Sequence, residues 1–197
     1  MPQAAVLLAR RQPTIVPPRV DALPRLEDGP FCATFNNGQR VRSRAVVIAT
    51  GVQYRRLPIA RLAEFEGAGI YYSATENEAR FCRDAEVIVI GGGNSAGQAA
   101  MFLSRVAARV RLLVRGDSLA ASMSSYLSTR LEADPAIIID YRAQVVAVHG
   151  DEKLEAVTIL RNGMEETVDT CAVFVMVGAV PNTGWLADLV RLDEKGF

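Results

Sequence analysis

The hydrophobic pattern between residues 86 and 115 is typical of a βαβ unit. Four consecutive β-branched residues, Val87 to Ile90, end at a run of glycines. Apolar residues then recur at helical spacing from Asn94 to Val106, and a second apolar run covers Val110 to Val114. Two short apolar runs joined by a helix with this spacing predict two parallel strands and a crossover helix.

The pattern after this unit predicts one more helix and further strands. Ser122 to Leu131 has helical spacing and ends before Asp134-Pro135, because a residue that precedes proline disfavours the helical conformation. The predicted strands that follow are Ile137 to Asp140, Val145 to His149, Leu154 to Leu160, Glu166 to Val168 and Ala172 to Val177. Turn residues at Gly150-Asp151 and Asn162-Gly163 join the middle three as an antiparallel meander. The predicted fold class is therefore α/β, with a Rossmann-like parallel sheet and an antiparallel β-meander.

The segment before residue 69 is less regular. Its predicted elements are a short helix at Ala4 to Arg11, an extended segment at Thr14 to Val20, a hairpin of Phe31 to Phe35 with Arg40 to Val41, and a buried strand at Ala45 to Ala49. The hairpin prediction rests on Asn36-Asn37-Gly38, since Asn and Gly tolerate the positive φ of tight turns. Gln53 to Ala68 is polar and contains Pro58, which predicts a linker.

The composition shows no charge bias. In 197 residues, 22 basic side chains balance 22 acidic ones. The zero net charge gives no electrostatic reason to expect a nucleic acid or an anionic membrane as a partner. The apolar runs are also shorter than the roughly 20 residues that span a bilayer. We therefore expect a cytoplasmic protein.

The cysteines and the histidine predict no reactive site. Cys32, Cys82 and Cys171 are far apart, and no two of them form a Cys-x-x-Cys pair, which excludes a local redox dithiol and argues against a zinc site. Buried, reduced thiols are the expectation for all three. His149 falls beside a predicted turn, where side chains are typically solvated. No catalytic residue and no metal ligand is predicted.

The glycine turn after Ile90 fits the G-x-G-x-x-G/A fingerprint of dinucleotide-binding domains. The predicted cofactor-binding residues of this turn are Gly91, Gly92, Gly93, Asn94, Ser95 and Ala96. Gly91 permits the tight turn, Gly93 lets the backbone approach a pyrophosphate, and Ala96 lets the helix pack closely on the strand. The helix N-terminus then offers N–H groups to the phosphates. A purely structural turn is the alternative.

The end of the second strand distinguishes NADH from NADPH. An acidic residue there binds the ribose 2′-hydroxyl, whereas arginine accommodates a 2′-phosphate. Arg115 occupies this position, and guanidinium groups pair well with phosphate. NADPH is therefore the favoured cofactor. Asp117 keeps NADH open, because it would reach a 2′-hydroxyl if the turn curls back; a solvated turn residue is its simpler role.

Four motifs in order resemble the thioredoxin reductase-like branch of the two-dinucleotide-domain flavoproteins. They are Ala49-Thr50-Gly51, the glycine turn, Arg115-Gly116-Asp117 and Gly178-Ala179-Val180-Pro181-Asn182-Thr183. The resemblance implies an NADPH domain inserted into an FAD domain, with residues 1–66 as a partial FAD-domain segment, 67–183 as the NAD(P)H-binding domain and 184–197 as the start of the returning FAD-domain segment. It also implies that Thr50 and Gly51 contact FAD and that Gly178 lies near the nicotinamide.

The chain departs from this family in three respects. Ser73-Ala74-Thr75-Glu76 stands where the family keeps its redox Cys-x-x-Cys. The basic cluster for the 2′-phosphate is reduced to Arg115, with Ser118 and Ser122 as hydroxyl donors. The glycine fingerprint for FAD and the closing Gly-Asp segment are absent from the sequence, so a fragment with an incomplete FAD-type domain is the expectation.

The expected function is the NADPH-binding part of an FAD-dependent oxidoreductase that passes hydride to flavin without a dithiol relay. The electron acceptor would then lie outside this chain; a ferredoxin, a flavodoxin, a quinone or oxygen would each fit, and a homodimer is compatible with the resemblance. The isolated chain is expected to bind the nicotinamide dinucleotide without turnover. An NADP(H)-sensing or regulatory module without redox catalysis is the main alternative, and a structural remnant that binds nothing is a third.

Overall fold

The computed structural model describes residues 5–9, 13–15, 20–24 and 29–197, with side chains from Val20 onward. Within these residues the chain forms sixteen strands and three α-helices. The strands are β1 Ala5–Ala9, β2 Pro13–Ile15, β3 Val20–Ala22, β4 Phe31–Phe35, β5 Arg40–Ser43, β6 Val47–Ala49, β7 Val52–Tyr54, β8 Ile70–Tyr71, β9 Glu86–Ile90, β10 Arg109–Val114, β11 Ile137–Tyr141, β12 Ala143–Gly150, β13 Leu154–Arg161, β14 Met164–Asp169, β15 Val173–Val175 and β16 Ala179–Pro181. The α-helices are α1 Glu76–Ala79, α2 Asn94–Leu103 and α3 Ser125–Ala133, and short 3-10 helices cover Leu62–Phe65, Arg80–Cys82 and Gly184–Leu186.

A parallel sheet with the strand order β11-β10-β9-β15-β8 organises residues 55–178, which form one compact unit. Alternate residues of β9 face opposite sides of it. Val87 and Val89 pack with α2 and α3, whereas Ile88 and Ile90 pack with the β12-β13-β14 meander. Since both faces are covered, the strand is apolar at four consecutive positions rather than alternating.

An ionic cluster around a buried carboxylate joins the parallel sheet to the meander. Arg111 of β10 donates from Nε to Asp140 Oδ2 at 2.9 Å and contacts Glu166 of β14 at 3.3 Å. Arg161 of β13 bonds the other oxygen of Asp140. The Asp140 side chain is 2% exposed, so two guanidinium groups compensate a carboxylate that is withdrawn from water.

Residues 1–54 and 179–197 form the second compact unit. Its described strands make two three-stranded antiparallel sheets, β2-β1-β6 and β3-β4-β5, and the antiparallel pair β7-β16. Val20, Leu23, Ala33 and Phe35 form its buried apolar cluster. Among the described residues of the chain, no helix is long and apolar enough to cross a bilayer.

The α/β class with a parallel sheet and an antiparallel meander is confirmed, but three local predictions were wrong. The helix predicted at Ala4 to Arg11 is the strand β1 where it is described, because pairing with β2 and β6 outweighs local propensity. The strand predicted as buried at Ala45 to Ala49 is exposed at Val47 and Ile48. The predicted linker Gln53 to Ala68 contains core residues, since Leu62 and Phe65 are buried against the meander. Part of the predicted extended segment, residues 16–19, lies outside the described residues.

The compact units also divide the chain differently from the predicted domains. The central unit begins at Arg55 rather than at residue 67 and ends at Gly178 rather than at residue 183. Leu57, Ile59 and Leu62 pack on its core, which draws this segment into the unit. The assignment of the units to NAD(P)H-binding and FAD-type domains stays a prediction.

Candidate functional site

A cleft of about 830 Å³ opens at the carboxyl edge of the parallel sheet. The residues that line it come from the ends of three strands, the glycine turn, the meander and residues 55–59: Arg55, Arg56, Leu57, Pro58, Ile59, Ile90, Gly91, Gly92, Gly93, Asn94, Ser95, Leu113, Arg115, Ala143, Gln144, Val145, Val146, Met176, Val177 and Gly178. Ligands of open α/β sheets bind at this edge, in the crevice outside the carboxyl ends of the strands.

Gly91 makes the turn out of β9 in a conformation that side chains rarely adopt. Its φ is +145°, and its N–H donates to the carbonyl oxygen of Leu113 at 3.0 Å. A Cβ at this position would lie 2.5 Å from the carbonyl oxygen of Met176 and 3.0 Å from the Cβ of Ala96. Ala96 itself is fully buried beneath the turn and does not line the cleft. Gly91 and Ala96 therefore determine the shape of the turn through their close packing.

The N-terminus of α2 faces the cleft without a competing acceptor. Gly93 is the N-cap, no side chain caps the helix, and its first turn contains no acidic residue. The side chain of Asn94 is engaged elsewhere, because its Oδ1 accepts from the N–H of Ser124 at 2.8 Å. The first-turn N–H groups and the positive end of the helix dipole therefore favour an anion at this end of the helix.

The loop from residue 115 to 124 is tied to the glycine turn. Ser122 donates its hydroxyl proton to the carbonyl oxygen of Gly92 at 2.9 Å. Ser118 accepts from the N–H of Ala120 at 3.0 Å. The Ser122 hydroxyl is therefore engaged within the protein, and its donation to a 2′-phosphate stays a prediction. Arg115 is exposed and lines the cleft.

Asp117 pairs with an arginine that the sequence analysis did not select. Its carboxylate lies 3.8 Å from Arg142 Nη2, and the Arg142 N–H donates to the carbonyl oxygen of Gly116 at 3.0 Å. Arg142 directly follows β11, as Arg115 directly follows β10. That shared position was the signal in the sequence that pointed to Arg142.

The segment predicted to stand in place of a redox dithiol, residues 73–76, leads into a capped helical turn. Thr75 caps α1: its Oγ1 accepts from the N–H of Asn77 at 3.3 Å, and its N–H donates to Glu78 Oε2 at 2.9 Å. The hydrogen bond from the Thr75 side chain lowers the pKa of Glu78. Ser73 precedes the capping box and Glu76 lies within it, and residues 73–76 contain no cysteine.

The cysteines are not uniformly buried. Cys32 and Cys82 are buried, as predicted, but Cys171 is exposed, so that part of the prediction was wrong. Burial first, and the nearby Cys171 and Glu78 next, raise the pKa of the Cys82 thiol to about 12. His149 Nε2 lies 2.7 Å from Thr158 Oγ1 in the meander. The described residues contain no His, Cys, Asp and Glu cluster that would hold a metal ion.

The predicted site residues divide between the two units. The central unit brings seven of them together along the 830 Å³ cleft: Gly91, Gly92, Gly93, Asn94, Ser95, Arg115 and Gly178. Thr50 and Gly51 belong to the other unit, where Asn182 binds both: its Nδ2 donates to the Thr50 oxygen at 3.1 Å and its N–H to the Gly51 oxygen at 3.3 Å. These bonds join the segments beside β7 and β16, which is a structural role; contact with FAD stays a prediction.

Comparison with known proteins gives consistent matches across the chain. The profile of the family described as pyridine nucleotide-disulphide oxidoreductase matches residues 15–197. Thioredoxin reductase of Streptomyces clavuligerus is 35% identical over 166 residues, which are 83% of this chain and 51% of that protein. Thioredoxin reductase of Treponema pallidum is 34% identical over 172 residues, 86% of this chain and 54% of that protein.

A solved structure supports the same relationship. Thioredoxin reductase from Streptococcus pyogenes has a TM-score of 0.74 and 27% identity, and the match covers 91% of this chain and 58% of that one. The chain thus spans about half the length of the curated relatives that it matches. The chain belongs to the pyridine nucleotide-disulphide oxidoreductase family.

Proposed function

We propose that the central unit binds NADPH in the cleft at the carboxyl edge of its parallel sheet. The chain would serve as the NADPH-binding part of an FAD-dependent oxidoreductase in which hydride reaches a flavin without an internal dithiol. The observation that carries this proposal is the glycine turn, whose uncapped helix N-terminus opens into the same cleft as Arg115.

The donor set fits a dinucleotide phosphate chain. Gly93 has an extended backbone, and a Cβ there would meet nothing closer than the Ser122 oxygen at 3.8 Å. Its missing side chain therefore leaves open space above the first-turn N–H groups rather than relieving a clash. N–H groups at a helix N-terminus stabilise a pyrophosphate, and the exposed Ser95 hydroxyl adds a donor.

The rest of the cleft supplies orientation and an apolar wall. Arg115 would pair with the 2′-phosphate of the adenosine ribose. Ile90, Leu113 and Val145 line the same cavity with aliphatic side chains, which exclude water from a bound cofactor. NADPH supplies a hydride when bound, and the chain's own contribution is positioning and electrostatics.

The segment at residues 73–76 supports transfer to an acceptor other than an internal disulphide. Ser73 and Glu76 carry an alcohol and a carboxylate, neither of which exchanges with a disulphide. Thr75 of this segment forms the capping box of α1 with Glu78. We therefore propose that electrons leave the flavin toward a ferredoxin, a flavodoxin, a quinone or oxygen. The regulatory alternative has no comparable support, because the two relatives compared above are named thioredoxin reductases.

Isothermal titration of the 197-residue chain with NADPH, NADH and FAD tests the binding step. We expect one NADPH per chain and weaker binding of NADH, because only NADPH offers the 2′-phosphate to Arg115. Failure of both nicotinamide dinucleotides to bind would contradict the proposal.

A turnover assay tests the electron route separately. With NADPH and added FAD, we expect the chain to leave an aromatic disulphide such as 5,5′-dithiobis(2-nitrobenzoate) unreduced. Rapid reduction of that disulphide would contradict the absence of a dithiol relay. The control is a dithiol-containing thioredoxin reductase assayed under the same conditions.

A further inference from the structure

A second arginine lies beside Arg115 at the carboxyl edge of the parallel sheet. Val114 of β10 pairs with Tyr141 of β11, so Arg115 and Arg142 are the next residues on two adjacent parallel strands. Neighbouring strands lie about 4.8 Å apart. The bond from the Arg142 N–H to the Gly116 oxygen, at 3.0 Å, holds the two segments side by side beyond the end of the ladder.

Both arginines line a second pocket, of about 320 Å³. It adjoins the dinucleotide cleft, because the two cavities share Arg115, Ala143 and Gln144. The remaining lining residues are Leu160, Asn162 and Gly163, together with Arg142. The lining thus contains two guanidinium groups and no carboxylate, which favours an anion.

The ionic partner that Arg142 has in this structure is weak. Asp117 lies 3.8 Å away, and the two side chains are 67% and 75% exposed. Ion pairs at this distance and exposure contribute little stability. A phosphate monoester carries nearly two negative charges and three acceptor oxygens, so it would be the stronger partner for both arginines.

We propose that Arg142 is a specificity-determining residue that binds the adenosine 2′-phosphate of NADPH together with Arg115. This inference rests on the proposed binding of NADPH in the cleft. The second cation follows β11, the strand next to β10 in the sheet, and it offsets the lack of further basic residues in the loop after Arg115. Asp117 neutralises Arg142 when the phosphate is absent and releases it when the phosphate binds.

Titration of the full chain with ligand pairs that differ in the 2′-phosphate tests this role. The pairs are NADPH with NADH, and adenosine 2′,5′-bisphosphate with AMP. Arg142→Gln is expected to weaken binding of the 2′-phosphorylated ligand of each pair about tenfold, as for a lost charged hydrogen bond. The affinity for the other ligand of each pair is expected to stay unchanged. Arg109→Gln is the matched control, because it removes the same charge at the opposite end of β10, where Arg109 pairs with Glu86 at 3.5 Å. It should change the affinity for neither ligand of a pair.

A second substitution separates charge from backbone conformation. Arg142 has a φ of +53°, and asparagine tolerates this region, so Arg142→Asn keeps the turn while removing the charge. Equal losses for NADPH and NADH, or unchanged NADPH affinity in both variants, would overturn the role of Arg142 while leaving NADPH binding intact. If the unmodified chain binds neither dinucleotide, the proposed function fails, and the role of Arg142 fails with it.

Asp117→Asn completes the test. Removal of this carboxylate should strengthen NADPH binding severalfold, because Asp117 competes with the 2′-phosphate for Arg142. NADH binding should stay the same. Weaker NADH binding would instead assign Asp117 to the ribose 2′-hydroxyl and would contradict its role as the counter-ion of Arg142.

Discussion

Alanine substitutions at Gly91 and Gly93 should separate the stability of the glycine turn from its binding function. Gly91 has a φ of +145°, which costs a side-chain-bearing residue about 1–3 kcal/mol. The added methyl group would also lie 2.5 Å from the Met176 oxygen, and such overpacking costs about 1–3 kcal/mol more. We therefore expect Gly91→Ala to lower the free energy of unfolding by about 2–6 kcal/mol.

Gly93→Ala is the matched control, since it adds the same methyl group two residues later. Gly93 has an ordinary φ of −95°, and the new Cβ would lie 3.8 Å from the Ser122 oxygen, a normal contact. Its unfolding free energy should change by less than about 1 kcal/mol. The methyl group would instead occupy the approach to the first-turn N–H groups of α2, so NADPH binding should weaken about tenfold or more.

Urea unfolding followed by circular dichroism measures the first effect, and calorimetric titration with NADPH measures the second. The expected result is a stability loss confined to Gly91→Ala and a selective affinity loss in Gly93→Ala. A Gly91→Ala variant as stable as the unmodified chain would refute the steric argument. Full NADPH affinity in Gly93→Ala would refute the assignment of the pyrophosphate to this turn.

Three further predictions concern charges and thiols. Arg115→Ala should weaken NADPH binding by about 1.5 kcal/mol, which is the low end for a charged hydrogen bond because Arg115 is exposed. NADH binding should weaken much less. Equal losses of affinity for NADPH and NADH in calorimetry would contradict the assignment of Arg115 to the 2′-phosphate. Asp140→Asn should lower the free energy of unfolding, measured in urea, by about 3 kcal/mol, since it leaves two guanidinium groups without their buried carboxylate. Arg161→Ala should lower the free energy of unfolding by less, because the Arg161 side chain is half exposed. Burial, followed by the charges of nearby groups, raises the pKa of Cys82 from 9.0 to about 12, so the folded thiol stays protonated where the unfolded one ionises. Stability should then fall as the pH rises from about 9 to 12, and Cys82→Ala should make that decline smaller; an unchanged pH profile would contradict the raised pKa.

The βαβ unit was predictable because its signals are local. The four apolar residues of β9, the glycine turn and the helical spacing of α2 each depend on residues within a few positions of one another. Helix ends were less accurate: α2 ends at Leu103 rather than at Val106, and α3 begins at Ser125 rather than at Ser122. The bonds from Ser122 to Gly92 and from Ser124 to Asn94 hold the residues before α3 against the glycine turn.

Contacts between distant segments were not predictable from the sequence. Arg111 interrupts an apolar strand, and its partners Asp140 and Glu166 come from two other strands. Leu62 and Phe65 lie in a polar segment that resembles a linker, yet they are buried in the core. In each case the partner of the residue is brought close by sheet order and by packing, neither of which local composition encodes.

The order of residues from Gly91 to Arg115 was thus enough to predict a dinucleotide site. A tight turn, an exposed helix N-terminus and a cation at a strand end are all specified by neighbouring residues. The cleft depends on the folded chain, since it forms where β9, β10 and β15 end at one edge and the meander closes one side. Arg142 is the clearest example. The sequence shows that each arginine follows a strand, but the place of Arg142 beside Arg115 follows from the register of β10 with β11, a pairing between backbone groups that are distant in the sequence.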